Sequence, residues 1–195
     1  MFLAVIFPVT LSIISVMSYD DIQTYRINIK VPGGKVNEDV VVDKERNVMT
    51  VNVGDVSQLK GFWCQSINLH DFEKKKVAIK NIDYGICLIL DTKETYSGSV
   101  DLLDKIKRMQ FQHEIKEEIM VRANRITHDE MLKLAGEKIA DFCRGYKLYH
   151  GKRVHHDGMI IAVKNANRVK RAMKKGMRDC SWWCGSCSIA TTYLN

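Results

Sequence analysis

Through the first half of the chain apolar residues come in short runs broken by polar turns; beyond Tyr96 they recur at helical spacing. Val40-Val41-Val42 and the run from Val48 to Val53 are β-rich and flank Asp43-Lys44-Glu45-Arg46-Asn47, a polar turn of hairpin length. Phe62 to Leu69, Val77 to Ile79 and Ile86 to Leu90 are further apolar runs, divided by the charged stretch Asp71 to Lys76 and by Asn81 to Gly85. The pattern predicts a meander of about five short strands, mostly antiparallel because the connections are too short for crossovers. Ahead of it, the segment from Tyr19 to Asn37 is polar, contains Pro32-Gly33-Gly34, and reads as a loop leading into the sheet.

Val100, Leu103, Ile106 and Met109 fit one face of a first helix, with Ser99 as its expected N-cap and Asp101 in the first turn. Residues 111–128 are charged and weakly patterned, and read either as an extension of that helix or as a linker. Met131, Leu134, Ala135, Ile139, Phe142 and Cys143 share the face of a second helix, with Asp129 as candidate cap and Gly145 as terminator. Strands followed by helices, rather than alternating with them, indicate the α+β class: an antiparallel sheet packed with two helices.

Charge changes the picture once it is located. The net charge is +7, yet residues 1–150 carry 21 basic and 21 acidic residues and sum to zero. From Gly151 onward, Lys152, Arg153, Lys164, Arg168, Lys170, Arg171, Lys174, Lys175 and Arg178 are opposed only by Asp157 and Asp179, so the basicity belongs to this tail. A uniformly basic domain would point to nucleic acid. A basic tail on a neutral domain points to an appended functional segment, and no nucleic-acid partner is expected.

Phe2 to Met17 is almost wholly apolar, and Val16 and Ser18 supply the small residues that a signal peptidase reads. Residues 1–18 are therefore expected to be a cleaved signal peptide, the run being shorter than the ~20 residues that a retained membrane anchor needs. Secretion makes the six cysteines candidates for disulfides, because that compartment is oxidising. Spacing alone selects no pairing.

Three segments together resemble the BRICHOS family. They are Leu69-His70-Asp71-Phe72-Glu73-Lys74-Lys75-Lys76-Val77-Ala78-Ile79-Lys80, then Gly85-Ile86-Cys87-Leu88-Ile89-Leu90-Asp91, and then Lys138-Ile139-Ala140-Asp141-Phe142-Cys143-Arg144-Gly145-Tyr146-Lys147-Leu148-Tyr149. The front portion, Gly33-Gly34-Lys35-Val36-Asn37 through Val53, is most similar to gastrokines within that family. The chain departs from the family where a proline is usual, at Tyr96-Ser97-Gly98-Ser99 and at Lys147-Leu148. The resemblance implies a domain over 38–150, preceded by an N-terminal segment over 19–37, with Cys87 and Cys143 as its disulfide. Closing a loop of that size should stabilise a small domain by roughly 4 kcal/mol. It also implies that Asp71 is the family's aspartate, a buried pH-sensitive carboxylate. On its residues alone Asp71 reads as a turn residue after a strand.

The tail, 151–195, carries two dibasic pairs, Lys152-Arg153 and Lys170-Arg171, of the kind that processing proteases cut. Cleavage after Arg171 would release residues 172–195, a peptide of 24 residues and charge +2 holding Cys180, Cys184 and Cys187. Lys174, Lys175 and Arg178 beside Trp182 and Trp183 suit an anionic membrane surface. The competing reading is a solvated linker with a disulfide staple. Trp183-Cys184-Gly185-Ser186-Cys187 resembles a thiol-redox motif, but too little chain follows it to open the helix that such chemistry needs. A zinc site with His155 and His156 is disfavoured by oxidation of the cysteines. His70, His113 and His128 show no ligand spacing and read as surface or edge residues. No metal, cofactor or catalytic group is expected.

Cys64 and the tail cysteines remain for two further bridges, and a Cys64-to-tail bridge would keep the tail attached after proteolysis. The expected function is thus a secreted, non-enzymatic precursor. Its BRICHOS-like domain would act as an intramolecular chaperone for its own C-terminal peptide or other β-prone polypeptides, the peptide being antimicrobial or membrane-active after release. The alternative is a gastrokine-like mucosal factor acting whole. The sequence leaves oligomerisation open.

Overall fold

The computed structural model describes residues 21–31, 34–59, 64–109, 113–114, 117–154 and 188–194. The signal-peptide segment, His155, His156, the Lys170-Arg171 pair, Lys174, Lys175, Arg178, Trp182, Trp183 and the three tail cysteines lie outside the described residues.

The elements in chain order are β1 (Ile22–Val31), β2 (Gly34–Asp43), β3 (Val48–Val53), β4 (Ser66–Asp71), β5 (Lys76–Asn81), β6 (Ile86–Asp91), α1 (Tyr96–Met109), β7 (His113–Glu114), β8 (Glu117–Arg125), α2 (His128–Phe142), β9 (Lys147–Val154) and β10 (Ser188–Leu194). All ten strands join one sheet in the order β10-β8-β9-β6-β5-β4-β3-β2-β1-β7. Strands β1 to β6 form the antiparallel meander, and β9 runs parallel to β6 after the long excursion through both helices. The class is α+β, with the expected five strands present as β2 to β6.

The sheet is larger than the pattern predicts. Residues read as a leading loop form β1, ten residues paired antiparallel with β2. Its inward positions Ile27 and Ile29 are buried, while Thr24, Arg26 and Asn28 are exposed, which is the period of two that a half-buried strand shows. The 111–128 stretch contains β7 and β8 rather than helix or linker. Among the described side chains of β8, Val121 and Ala123 are buried in the core, and its charged neighbours hide that short apolar alternation in the sequence.

The helices cover opposite faces. Met49, Val51 and Val53 of β3 enter a core with Ile27, Val40, Val42 and the α1 residues Leu103 and Ile106. Val48, on the other face, joins Leu69, Ala78, Cys87 and Ile89 under Met131, Ala135 and Ile139 of α2. Tyr25 ties α1 to β1 by donating to Asp104 Oδ1 at 3.1 Å; burial first, and then that carboxylate, push the phenol up to about 12. Cys87 and Cys143 are bonded, pinning β6 to the end of α2 and closing a separation of 56 residues. Confining the unfolded chain in this way is worth about 4 kcal/mol.

The helix caps differ from expectation by a few residues. Thr95 caps α1, its Oγ1 accepting the Gly98 N–H at 3.2 Å, and Ser99 is buried within the first turn. On α2 the cap is Thr127, not Asp129. Its Oγ1 accepts the Glu130 N–H at 3.3 Å and Glu130 Oε2 accepts the Thr127 N–H at 2.7 Å, a reciprocal capping box. Gly136 breaks the helical path inside α2 with φ 79° and ψ 179°, a conformation reserved for glycine. The helix ends at Phe142 ahead of Gly145, as predicted.

On the far side of β6 a third cluster joins Val77, Ile79, Leu88 and Leu90 to Val121 and Ala123. Its key residue is Gly151 on β9. A Cβ there would lie 2.5 Å from Leu90 Cδ2 and 2.6 Å from Val121 Cγ1, so the missing side chain is what lets β6 and β8 meet across β9. Gly151→Ala should therefore force those side chains aside and lower stability by about 1–3 kcal/mol in urea unfolding. An unchanged midpoint would show that the site has room.

Candidate functional site

Three features of the described residues combine strand ends, buried polar groups and the C-terminal segment. The first is the aspartate at the end of β4. Asp71 is buried, and its Oδ1 accepts the Lys74 N–H at 3.0 Å, closing the turn into β5. Lys138 of α2 places its Nζ 3.9 Å from Asp71 Oδ2, 3.0 Å from Glu73 Oε2 and 3.0 Å from the Arg46 carbonyl. Asp71 is thus both a turn residue and a buried one. The Lys138 ammonium holds the Glu73 carboxyl below the usual carboxylate range. One lysine thereby joins α2 to both the β2–β3 and the β4–β5 turns.

The second feature is a polar row on the face of β4 opposite α2. Ser66, Asn68 and His70 alternate along the strand and all are buried, with Asn81 beside Ser66 on β5. His70 is no surface residue: its Nδ1 lies 3.0 Å from Glu94 Oε2 and its ring stacks on Phe72, with centroids 6.2 Å apart. Glu38 on β2 points to the same sheet face as Val40 and Val42 and is buried among apolar neighbours. Glu38 Oε2 and both side-chain polar atoms of Asn68 have no hydrogen-bond partner among the described residues. Desolvation pushes the Glu38 carboxyl well above the ordinary range, so it holds a proton that the unfolded chain would release.

The third feature is the sheet edge at β8. The C-terminal segment Ser188–Leu194 is seated there as β10, parallel to β8 in a register running from Ser188 opposite Glu117 to Leu194 opposite Ala123. Its sequence, Ser-Ile-Ala-Thr-Thr-Tyr-Leu, has no charge and no proline and is rich in β-formers. Cys64, just ahead of β4, is buried and disulfide-bonded. Its partner lies outside the described residues, because Cys87 and Cys143 take each other. Asn81 Nδ2 donates to Cys64 Sγ at 3.2 Å.

Of the other residues singled out from sequence, Lys152 and Arg153 lie within β9, where both pair with β8; a protease would need that strand to leave the sheet. His128 opens α2 and lines a cleft of about 640 Å³ between the α2 N-terminus and the turn into β9. His113 is half of the two-residue β7. Glu38 and the β8–β10 pairing were not anticipated. The first is legible from parity alone, since residues 36, 38, 40 and 42 must share a face; the second joins chain segments far apart in sequence.

No family model, curated protein or solved structure matches this chain.

Glu38 makes the pH dependence specific. A carboxyl whose folded pKa lies above its unfolded value leaves the native state binding more protons, so stability is lost as pH rises from the unfolded pKa through the folded one. The Glu38 contribution to the urea midpoint should fall across that window. Glu38→Gln should flatten the decline and be the more stable at pH 8, by on the order of 1 kcal/mol. Parallel pH profiles for the two proteins would contradict the assignment.

Proposed function

We propose that this chain is a secreted, non-enzymatic BRICHOS-like protein whose domain holds and shields its own C-terminal segment, and that it acts with that segment still attached. The observation that carries this reading is the pairing of β10 with β8. An uncharged β-prone strand left free would template edge-to-edge association, and the exposed edge of β8 would do the same. Joining them removes one unpaired edge from each.

The disulfide at Cys64 supports the intact form over a released peptide. Covalent attachment ahead of β4 and strand pairing at β8 would both have to be undone before residues 172–195 could diffuse away. The family resemblance adds the Cys87–Cys143 pairing, and that bond is formed.

Two measurements test it. Truncation after Cys187 removes β10; the shortened chain should aggregate at concentrations where the full chain stays soluble, seen by light scattering and thioflavin binding. Equal solubility would contradict the shielding role. Separately, the oxidised full chain should be cut with a dibasic-specific protease. Its mass should stay joined without reductant and separate only after reduction. A free peptide of residues 172–195 in the unreduced digest would favour the released, membrane-active form.

A further inference from the structure

The two ends of the sheet are finished differently. At one end β10 runs along β8 for seven residues; at the other, β1 is ten residues long and, among the described residues, β7 pairs with it only at Ile29 and Lys30. The stretch from Ile22 to Asn28 is an open edge. The turn beside it fixes which backbone groups face outward. The Lys44 N–H donates to the Asp21 carbonyl at 2.9 Å, continuing the register of Ile22 with Asp43. Odd-numbered residues of β1 therefore turn their backbone groups to β2, and even-numbered ones turn theirs away. Ile22, Thr24, Arg26 and Asn28 each hold one N–H and one C=O toward the open edge, eight groups in all.

Sheets guard such edges with lysine, proline or a bulge. Here the register with β2 runs unbroken from Ile22 to Val31, and no proline interrupts it. The single charge of the open stretch, Arg26, is bound to Asp39 at 2.6 Å. Ile22 is the most exposed of the large apolar side chains among the described residues, and Val41, opposite Thr24 on β2, is another. The edge is thus straight, unguarded and flanked by apolar surface, which is what an incoming strand needs.

The strand that fits best is a second β1. In an antiparallel pair of two such edges, only even-numbered residues can exchange hydrogen bonds with each other. A two-fold axis at Tyr25 sets Ile22 against Asn28 and Thr24 against Arg26 of the second copy, and uses all eight groups of each. It also opposes the two Tyr25 side chains, an aromatic cross-strand pair. Moving the second strand by two residues in one direction sets Arg26 against Arg26; moving it in the other leaves Asn28 beyond the end of the strand. Lys30, already paired with β7, marks where the pairing stops. We propose that two copies of this chain join through their β1 edges into one continuous sheet. The two-fold arrangement closes on itself, and it does not depend on how the C-terminal segment is held.

Sedimentation of the oxidised full chain tests this, with non-reducing electrophoresis confirming that no disulfide joins the chains. Strand addition at one edge buries little surface, so association should be weak, half complete at roughly 10 to 100 μM, and should stop at two chains. Thr24→Pro removes an outward N–H and leaves the ladder with β2 intact. It should raise the dissociation constant at least about tenfold, with its melting temperature little changed. Thr24→Lys sets a like charge against Arg26 of the second copy and should weaken the dimer by about threefold or more. Thr24→Glu should tighten it by about the same factor at low salt. These two variants carry the test if the proline variant misfolds. Single chains at every concentration up to about 500 μM would overturn the proposal, whether the edge then takes a foreign strand or none. So would growth beyond two chains, the signature of β10 adding head-to-tail on β1. A dimer that none of the three substitutions changes would also overturn it, since another surface would then hold the pair.

Discussion

Because successive side chains of a strand point to opposite faces, Val48 and Met49 of β3 enter different cores, one beneath α2 and the other beneath α1. A slip of one residue anywhere in the meander would exchange these two sets and expose both. The register is held by short turns with defined closures: Asp43 Oδ1 accepts the Arg46 N–H at 2.9 Å, and Asp71 closes the next turn in the same way. Lys138 then reaches both turns from α2, so the helix that covers one face also locks the turns that set its register. The Cys87–Cys143 bond adds a covalent tie between the same helix and the centre of the sheet.

The same parity explains the polar row on the opposite face. Once Leu69 and Ala78 are committed to α2, Ser66, Asn68 and His70 have no choice but the other side. There they are buried together with Glu38, and the Asn68 amide and Glu38 Oε2, which have no partner among the described residues, cost stability. His70 is balanced by Glu94. Glu38 is relieved by keeping its proton, a contribution to stability that is present in acid and lost as pH rises.

Much of the meander was legible in the sequence, since apolar runs bounded by Asp43–Asn47, Asp71–Lys76 and Asn81–Gly85 leave little freedom for β2 to β6. Both helices were legible from their apolar faces, though Thr95 and Thr127 won the caps over Ser99 and Asp129 by standing one residue ahead of each helix. Strand β1 was obscured by its polar outward positions and the Pro-Gly-Gly that follows. Strands β8 and β9 depend on contacts that no local pattern contains: Val121 reaches Leu88 and Leu90 only because residue 151 is glycine. The seat of β10 on β8 is likewise a meeting of distant segments, and in the sequence Ser188–Leu194 is merely the end of a tail.

That seat is the centre of the account, since shielding, attachment and the fate of the tail all follow from it. Native-state hydrogen exchange on the oxidised full chain, read by mass spectrometry over the C-terminal peptide, tests it most directly. Amides of Ser188–Leu194 should exchange as slowly as those of β8, and should remain protected after cleavage within the basic tail. Exchange at the rate of an unstructured peptide would mean that the C-terminal segment is not held by the sheet, and the proposed function would fall with it.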